Sequence, residues 1–174
     1  METWIEIALA LGFSYAVPLN TETLTPRRDV RDMCAADKCR AYGKNHTCPP
    51  YCGTLEACRE KMGQYSRGIL LQTVGNTEKL IDTKAYRRIE QQHLETFHRF
   101  CEALKAEHPH ALCLGSGGCR ICRTCAWPEP CRFPDKMHPC VESQGINVVP
   151  VMERCGMEFQ FGCNVVTWIS LLLY

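Results

Sequence analysis

No stretch of this 174-residue chain approaches the roughly 20 consecutive apolar residues of a membrane-spanning helix, so no membrane partner is expected. Charge of one sign is lacking as well. Twenty Lys plus Arg stand against nineteen Asp plus Glu, a balance of +1, which argues against nucleic acid or an anionic lipid surface as the partner. A phosphate-cradling loop is absent too. Gly115-Ser-Gly-Gly118 has neither the spacing nor the following Lys of such a loop, and it runs into cysteines rather than a helix. No catalytic constellation stands out, and the expectation is an accessory protein rather than an enzyme. Met1-Glu-Thr-Trp-Ile-Glu carries no positive leader, and the apolar run from Ile7 to Val17 is broken by Gly12 and Ser14. The expected compartment is therefore the reducing cytoplasm, where thiols stay free.

What the chain has in excess is cysteine, fourteen in all. A chain of this length can bury a sizeable core without cross-links, and the cysteines fall in dense groups rather than at isolated, disulfide-like positions. The densest group is Cys119-Arg-Ile-Cys122-Arg-Thr-Cys125-Ala-Trp-Pro-Glu-Pro-Cys131. Three cysteines at successive intervals of three, with a fourth close behind, let one short loop wrap four thiolates around a [4Fe-4S] cluster. A helix would string such positions along one face. Here the glycine-rich entry and Pro128 and Pro130 keep the backbone irregular, so the thiolates can converge. In bacterial ferredoxins the fourth cysteine of the run follows after three residues and is itself followed by Pro. Here the gap is five residues, so this is not a ferredoxin repeat. Zinc is the alternative, because four cysteines also make a tetrahedral site, although zinc ligands more often come as two separated pairs.

The second group is Cys34-x4-Cys39-x8-Cys48-Pro49-Pro50-Tyr51-Cys52-x5-Cys58. Five cysteines in 25 residues, threaded with Gly43, Gly53 and a Pro pair, read as a second metal loop rather than a helix or strand. Cys34, Cys39 and Cys48 supply three ligands. Cys58 is taken as the fourth, with Cys52 its rival, although Leu55, Cys58, Met62 and Tyr65 recur at helical spacing and put Cys58 on an apolar face.

The run Cys39-Arg-Ala-Tyr42-Gly43-Lys44 through Cys48-Pro49-Pro50 to Cys58-Arg59-Glu60 is one part of a wider pattern. With the 119–131 cysteines, Arg132-x-Pro134 and Glu142-x2-Gly145-Ile146-Asn147-Val148, it resembles a prokaryotic family of predicted cysteine-rich metal-binding proteins of unknown function. The resemblance covers nearly the whole chain and implies two metal loops in one small α/β domain. It implies no reaction. Cys140 and Asn147 stand where the family leads one to expect Ser and Asp, which leaves Cys140 off the ligand list.

The remainder reads as scaffold. Residues 2–11 form a helix stopped by Gly12, 13–19 a strand, and 25–29 a polar loop; Thr54 caps a helix, and 68–74 form a strand. The longest helical signal runs over 83–107, where His93 lies in the apolar stripe and reads as a core histidine. Residues 111–114 form a strand with Cys113 in the core. Residues 136–144 are expected as a short helix, and 163 or 164 to 174 as a buried strand. The sum is a single domain over 1–174, α/β or α+β, with one small sheet of about four strands, helices packed on it, and two cysteine-rich metal loops.

The functional expectation is an iron–sulfur protein with one or two [4Fe-4S] clusters that passes single electrons to or from a redox partner protein. Arg31, Lys38, Arg40, Lys44, Arg120, Arg123, Arg132 and Lys136 would offset the cluster charge or form a docking face. A zinc-stabilised interaction module is the alternative. A thiol-dependent enzyme or metallocentre-assembly factor, using spare cysteines such as Cys52, Cys101, Cys113, Cys140, Cys155 and Cys163, comes third.

Overall fold

The computed structural model describes residues 2–79, 82–160, 162 and 164–174. Five α-helices and a four-stranded sheet follow the order α1 (Glu2–Leu11), β1 (Tyr15–Leu19), α2 (Arg28–Ala35), α3 (Leu55–Met62), β2 (Gly68–Asn76), α4 (Thr83–Glu107), β3 (Leu112–Leu114), α5 (Val148–Arg154) and β4 (Val165–Leu173). Short 3₁₀ turns occupy Thr21–Thr23 and Glu142–Gln144. The strand order is β1-β2-β4-β3, and every pairing is antiparallel, so the class is α+β.

Both faces of the sheet are covered, which explains why Ile69-Leu70-Leu71 and Leu171-Leu172-Leu173 are continuous apolar runs rather than alternating ones. Successive strand residues point to opposite faces. Ile69, Leu71 and Leu172 join Trp4, Ala8, Phe97, Phe100 and Leu104 of α1 and α4 on one side. Leu70, Leu171 and Leu173 join Met62 of α3 and Val151 and Met152 of α5 on the other. The C-terminal strand is an inner one, as its composition leads one to expect, while Pro18 sits on the edge strand β1, where a missing backbone donor is tolerated.

Three expectations need correction. Residues 28–35 are helix α2 rather than part of a loop, so Cys34 lies in a helical last turn. The sequence hides this helix because its apolar content is low and one residue, Val30, carries its buried face. The expected helix over 136–144 is reduced to the 3₁₀ turn Glu142–Gln144, since Pro139 interrupts the segment and Cys140 bridges to Gly115 instead. Gly145 does end that turn, with φ +77°. Helix α5 was not foreseen across Pro150, yet Asn147 caps it and Pro150 falls in the first turn, where no backbone donor is required. The expected start of the last strand at Cys163 lies outside the described residues, as does that thiol.

His93 is fully buried, with one ring nitrogen 2.8 Å from Thr73 Oγ1 and the other 2.8 Å from Ser170 Oγ, so it ties α4 to β2 and β4. Burial lowers its pKa to about 3. The unfolded chain therefore binds a proton near pH 6.5 that the folded protein refuses. The contribution of His93 is present above that pH and is lost as pH falls towards 3, with a slope of about 1.4 kcal/mol per unit. Urea midpoints measured from pH 7 to pH 4 should fall in the native chain and fall less in His93→Gln.

Candidate metal centre

The two cysteine groups meet in space. Asn45 is buried between them, donating from Nδ2 to the Cys119 carbonyl at 3.1 Å and accepting at Oδ1 from the Thr47 amide and hydroxyl, each at 3.0 Å. Thr47 Oγ1 in turn accepts from the Cys119 amide at 3.3 Å. His46 reaches the Glu129 carbonyl at 2.9 Å, and Trp127 stacks on Tyr51 with ring centroids 3.6 Å apart. The 119–131 loop is thus fastened along its length to residues 45–51. Replacing Asn45 with Ala removes those side-chain bonds from a buried site, at a cost of about 1–3 kcal/mol. The expected result is faster amide exchange and proteolysis across 119–131 in Asn45→Ala, with the sheet amides unchanged.

Cys119, Cys122, Cys125 and Cys131 all line one small space of about 20 Å³, closed on its other side by Asn45, His46 and Thr47. All four cysteines are half-buried. The curled backbone expected from the glycine and proline content therefore brings the four foreseen residues together. Burial, with smaller contributions from Cys131 and Cys125, raises the Cys119 thiol above its usual range.

The second group divides. Cys34, Cys39 and Cys48 line a cavity of about 320 Å³ whose further walls include Gly117, Gly118 and Cys140. Burial pushes the Cys48 thiol up to about 12, with nearby Cys39 adding to the effect, and raises Cys34 in the same direction. Thiols that raise one another in this way are held as thiolates together when a cation stands among them. The fourth sulfur on this cavity is Cys140, left off the ligand list. It is buried, and its thiol accepts from the Ser143 amide at 3.2 Å. Cys140 reaches the site through the bridge between Gly115 and Cys140, a long-range pairing with no local sequence signal.

Cys58 faces elsewhere. It sits on the buried face of α3, accepts from Arg31 Nη2 at 3.3 Å, and lines a separate cavity with Cys52 and Cys113. Cys52 makes a 3.4 Å contact with the Ser143 carbonyl on the rim between the two. A substituent on Gly118 would lie 3.3 Å from Cys48 Sγ, so one wall of the larger cavity is the glycine segment that enters the 119–131 loop. The two sites are neighbours within one unit.

Several of the surrounding cations have structural partners. Arg31 donates to the Gly53 carbonyl at 2.8 Å, Arg120 pairs with Glu90 at 2.8 Å, Lys44 with Asp37 at 3.5 Å, and Arg132 reaches the Thr124 carbonyl at 3.2 Å. Lys38, Arg40 and Arg123 are exposed around the sites. Among the described residues, no helix is long and apolar enough to cross a membrane.

A family profile described as "Predicted metal-binding protein (DUF2284)" matches residues 17–174, and the chain belongs to that family. Searches of curated proteins and of solved structures returned no match.

Proposed function

From membership in a predicted metal-binding family, we propose that this chain is an iron–sulfur protein with two adjacent clusters, acting as an electron-transfer or redox accessory to a larger partner enzyme. The observation that carries the reading is the juxtaposition of two four-cysteine sites, Cys119/Cys122/Cys125/Cys131 and Cys34/Cys39/Cys48/Cys140, in one pinned unit. The donor set is all sulfur, as [4Fe-4S] clusters require. Bound clusters would supply one-electron exchange. The chain itself supplies the thiolates and the rigid Asn45–Thr47–Cys119 bridge. Nearby cations, of which Lys38, Arg40 and Arg123 are exposed, can offset negative charge or face an acidic partner.

Spacing also supports clusters over zinc. A zinc ion bound about 2.3 Å from each of four sulfurs sets those sulfurs about 3.8 Å apart. Among the described residues, neither cysteine site brings three sulfurs within 4.8 Å of one another. A cube with iron at its corners holds its thiolates further apart. The 320 Å³ cavity has room for such a group.

One observation favours zinc at the other site. The space inside 119–131 is about 20 Å³, the size of a single water-sized particle, so a single ion fits once the thiols draw together, whereas a cube requires the loop to open. Iron, acid-labile sulfide and zinc content of anaerobically purified protein, with EPR after dithionite, decides between them. About eight irons and eight sulfides per chain support two cubanes, and about four of each with a zinc that Cys122→Ser removes support a mixed pair. Zinc without sulfide sinks the redox reading and leaves a zinc-stabilised interaction module.

A further inference from the structure

We propose that Cys101, Cys113 and His138 form a third metal site, distinct from both cysteine loops, which holds one mononuclear soft divalent cation of the zinc type. Among the described residues, this is the trio of His, Cys and carboxylate ligand atoms that lie within 4.8 Å of one another. The three come from separate parts of the chain: Cys101 from α4, Cys113 from β3, and His138 from the segment after the 119–131 loop. What joins them is backbone pairing. Gly115 donates to the Pro139 carbonyl at 2.8 Å, and Val141 donates to the Gly115 carbonyl at 3.1 Å, which forms a parallel bridge between Gly115 and Cys140. Two residues back on each strand, the same register sets His138 level with Cys113. Helix α4 lies over that face of the sheet and brings Cys101 down on the pair.

The donor set suits the ion. Two thiolates and an imidazole are a three-ligand zinc set that leaves a fourth position open. Sulfur and nitrogen ligands at zinc distances of about 2.0–2.3 Å stand about 3.5–3.8 Å apart in a tetrahedron, so a trio already within 4.8 Å closes on an ion through side-chain adjustments of about an ångström. Cys101 and Cys113 are 1% and 2% exposed, which shields the sulfurs from oxidation. Access is nonetheless built in. Cys113 and His138 line one cavity of about 360 Å³, and Cys101 and His138 line another of about 370 Å³. The second cavity also exposes His98, whose ring centroid is 5.8 Å from that of His138, as the neighbour of the open position.

The test is zinc content and the zinc-edge X-ray absorption fine structure of anaerobically purified protein, native and His138→Gln. If the native protein carries no zinc, one equivalent of cobalt(II) is added and thiolate-to-cobalt absorption is read. The expected result is one metal per chain with a mixed sulfur and nitrogen shell. His138→Gln should lower its occupancy at least tenfold without changing iron or sulfide. His138 is half-buried, so Gln there should preserve the fold, which circular dichroism checks; the native ligand shell gives an answer even if it does not. A shell of sulfur alone, unchanged occupancy in a folded His138→Gln, or no zinc together with no cobalt–thiolate band would overturn the proposal. Cys122→Ser separates this site from the loops. If the loops themselves hold zinc, that variant removes the ion of 119–131, Cys48→Ser removes that of the other site, and the two changes together leave the sulfur–nitrogen one, so failure of the iron–sulfur reading is distinguishable from failure here.

Discussion

Cys122→Ser is expected to halve the iron and sulfide of the anaerobic protein, from about eight of each to about four, and to remove one of two reduced-state EPR signals. The reason is geometric. Cys122 is the middle of three cysteines spaced by three, and all four thiols of its loop line one space, so no spare sulfur in that loop can replace it. A serine hydroxyl is a poor donor for a soft iron centre, whereas the backbone that carries it is held independently by Asn45, Thr47 and Tyr51. Loss of metal should therefore exceed loss of fold, and far-UV circular dichroism should change little. Cys48→Ser should remove the other half, because Cys48 is the most deeply buried sulfur of the 320 Å³ cavity. The same logic extends to Cys140→Ser and Cys58→Ser. The first should behave like Cys48→Ser and the second should leave iron unchanged. The opposite pattern would return Cys58 to the ligand set. If the 119–131 loop holds zinc, Cys122→Ser leaves iron intact and removes one zinc per chain. Unchanged iron, sulfide and zinc would exclude the loop as a metal site.

Gly145→Ala carries the largest expected loss of stability, about 2–5 kcal/mol. Two causes add. With φ +77°, Gly145 occupies the left-handed region, which costs an ordinary L-residue about 1–2 kcal/mol. A Cβ there would lie 2.6 Å from Leu55 Cδ2 and 3.0 Å from the Arg27 carbonyl oxygen, and such overpacking costs about 1–3 kcal/mol more. Backbone cannot yield as a flexible side chain does. The Arg27 amide donates to the Gly145 carbonyl at 2.8 Å, so any shift is passed to the start of α2, the helix that carries Cys34. Gly145→Ala should therefore lower Tm by several degrees, at about 2–4 °C per kcal/mol for a chain of this size, and weaken metal retention by Cys34, Cys39 and Cys48 more than by the 119–131 loop. Gly156→Ala is the comparison. It has φ +70° with nothing within 4 Å, so it should carry the backbone cost alone. Equal losses in the two variants would remove the packing part of the argument.

The amino-acid sequence by itself determined the pieces whose signals are local. Thr83–Glu107 is a helix of the extent its apolar stripe dictates, residues 165–173 form a buried strand because β-branched residues and leucines fill them, and Thr54 caps α3 by accepting from the Ala57 amide at 3.1 Å. The 119–131 loop was legible for the same reason. Its four cysteines, glycines and prolines lie within a few residues of one another, and chain stiffness alone limits how they can be arranged.

Tertiary structure decided everything that depends on residues far apart in the chain. It set the antiparallel order β1-β2-β4-β3, which no single strand encodes. It set Cys58 beside Cys52 in a separate cavity and brought Cys140 across to Cys34, Cys39 and Cys48, because the Gly115–Cys140 bridge pairs segments on either side of the cysteine loop. It also gathered Cys101, Cys113 and His138, each of which, taken alone, reads as an ordinary buried residue of a helix, a strand and a loop. Periodicity reports which face of an element is buried, whereas the partner on that face is fixed by how helices and strands close on one another, and that closure is a property of the whole chain.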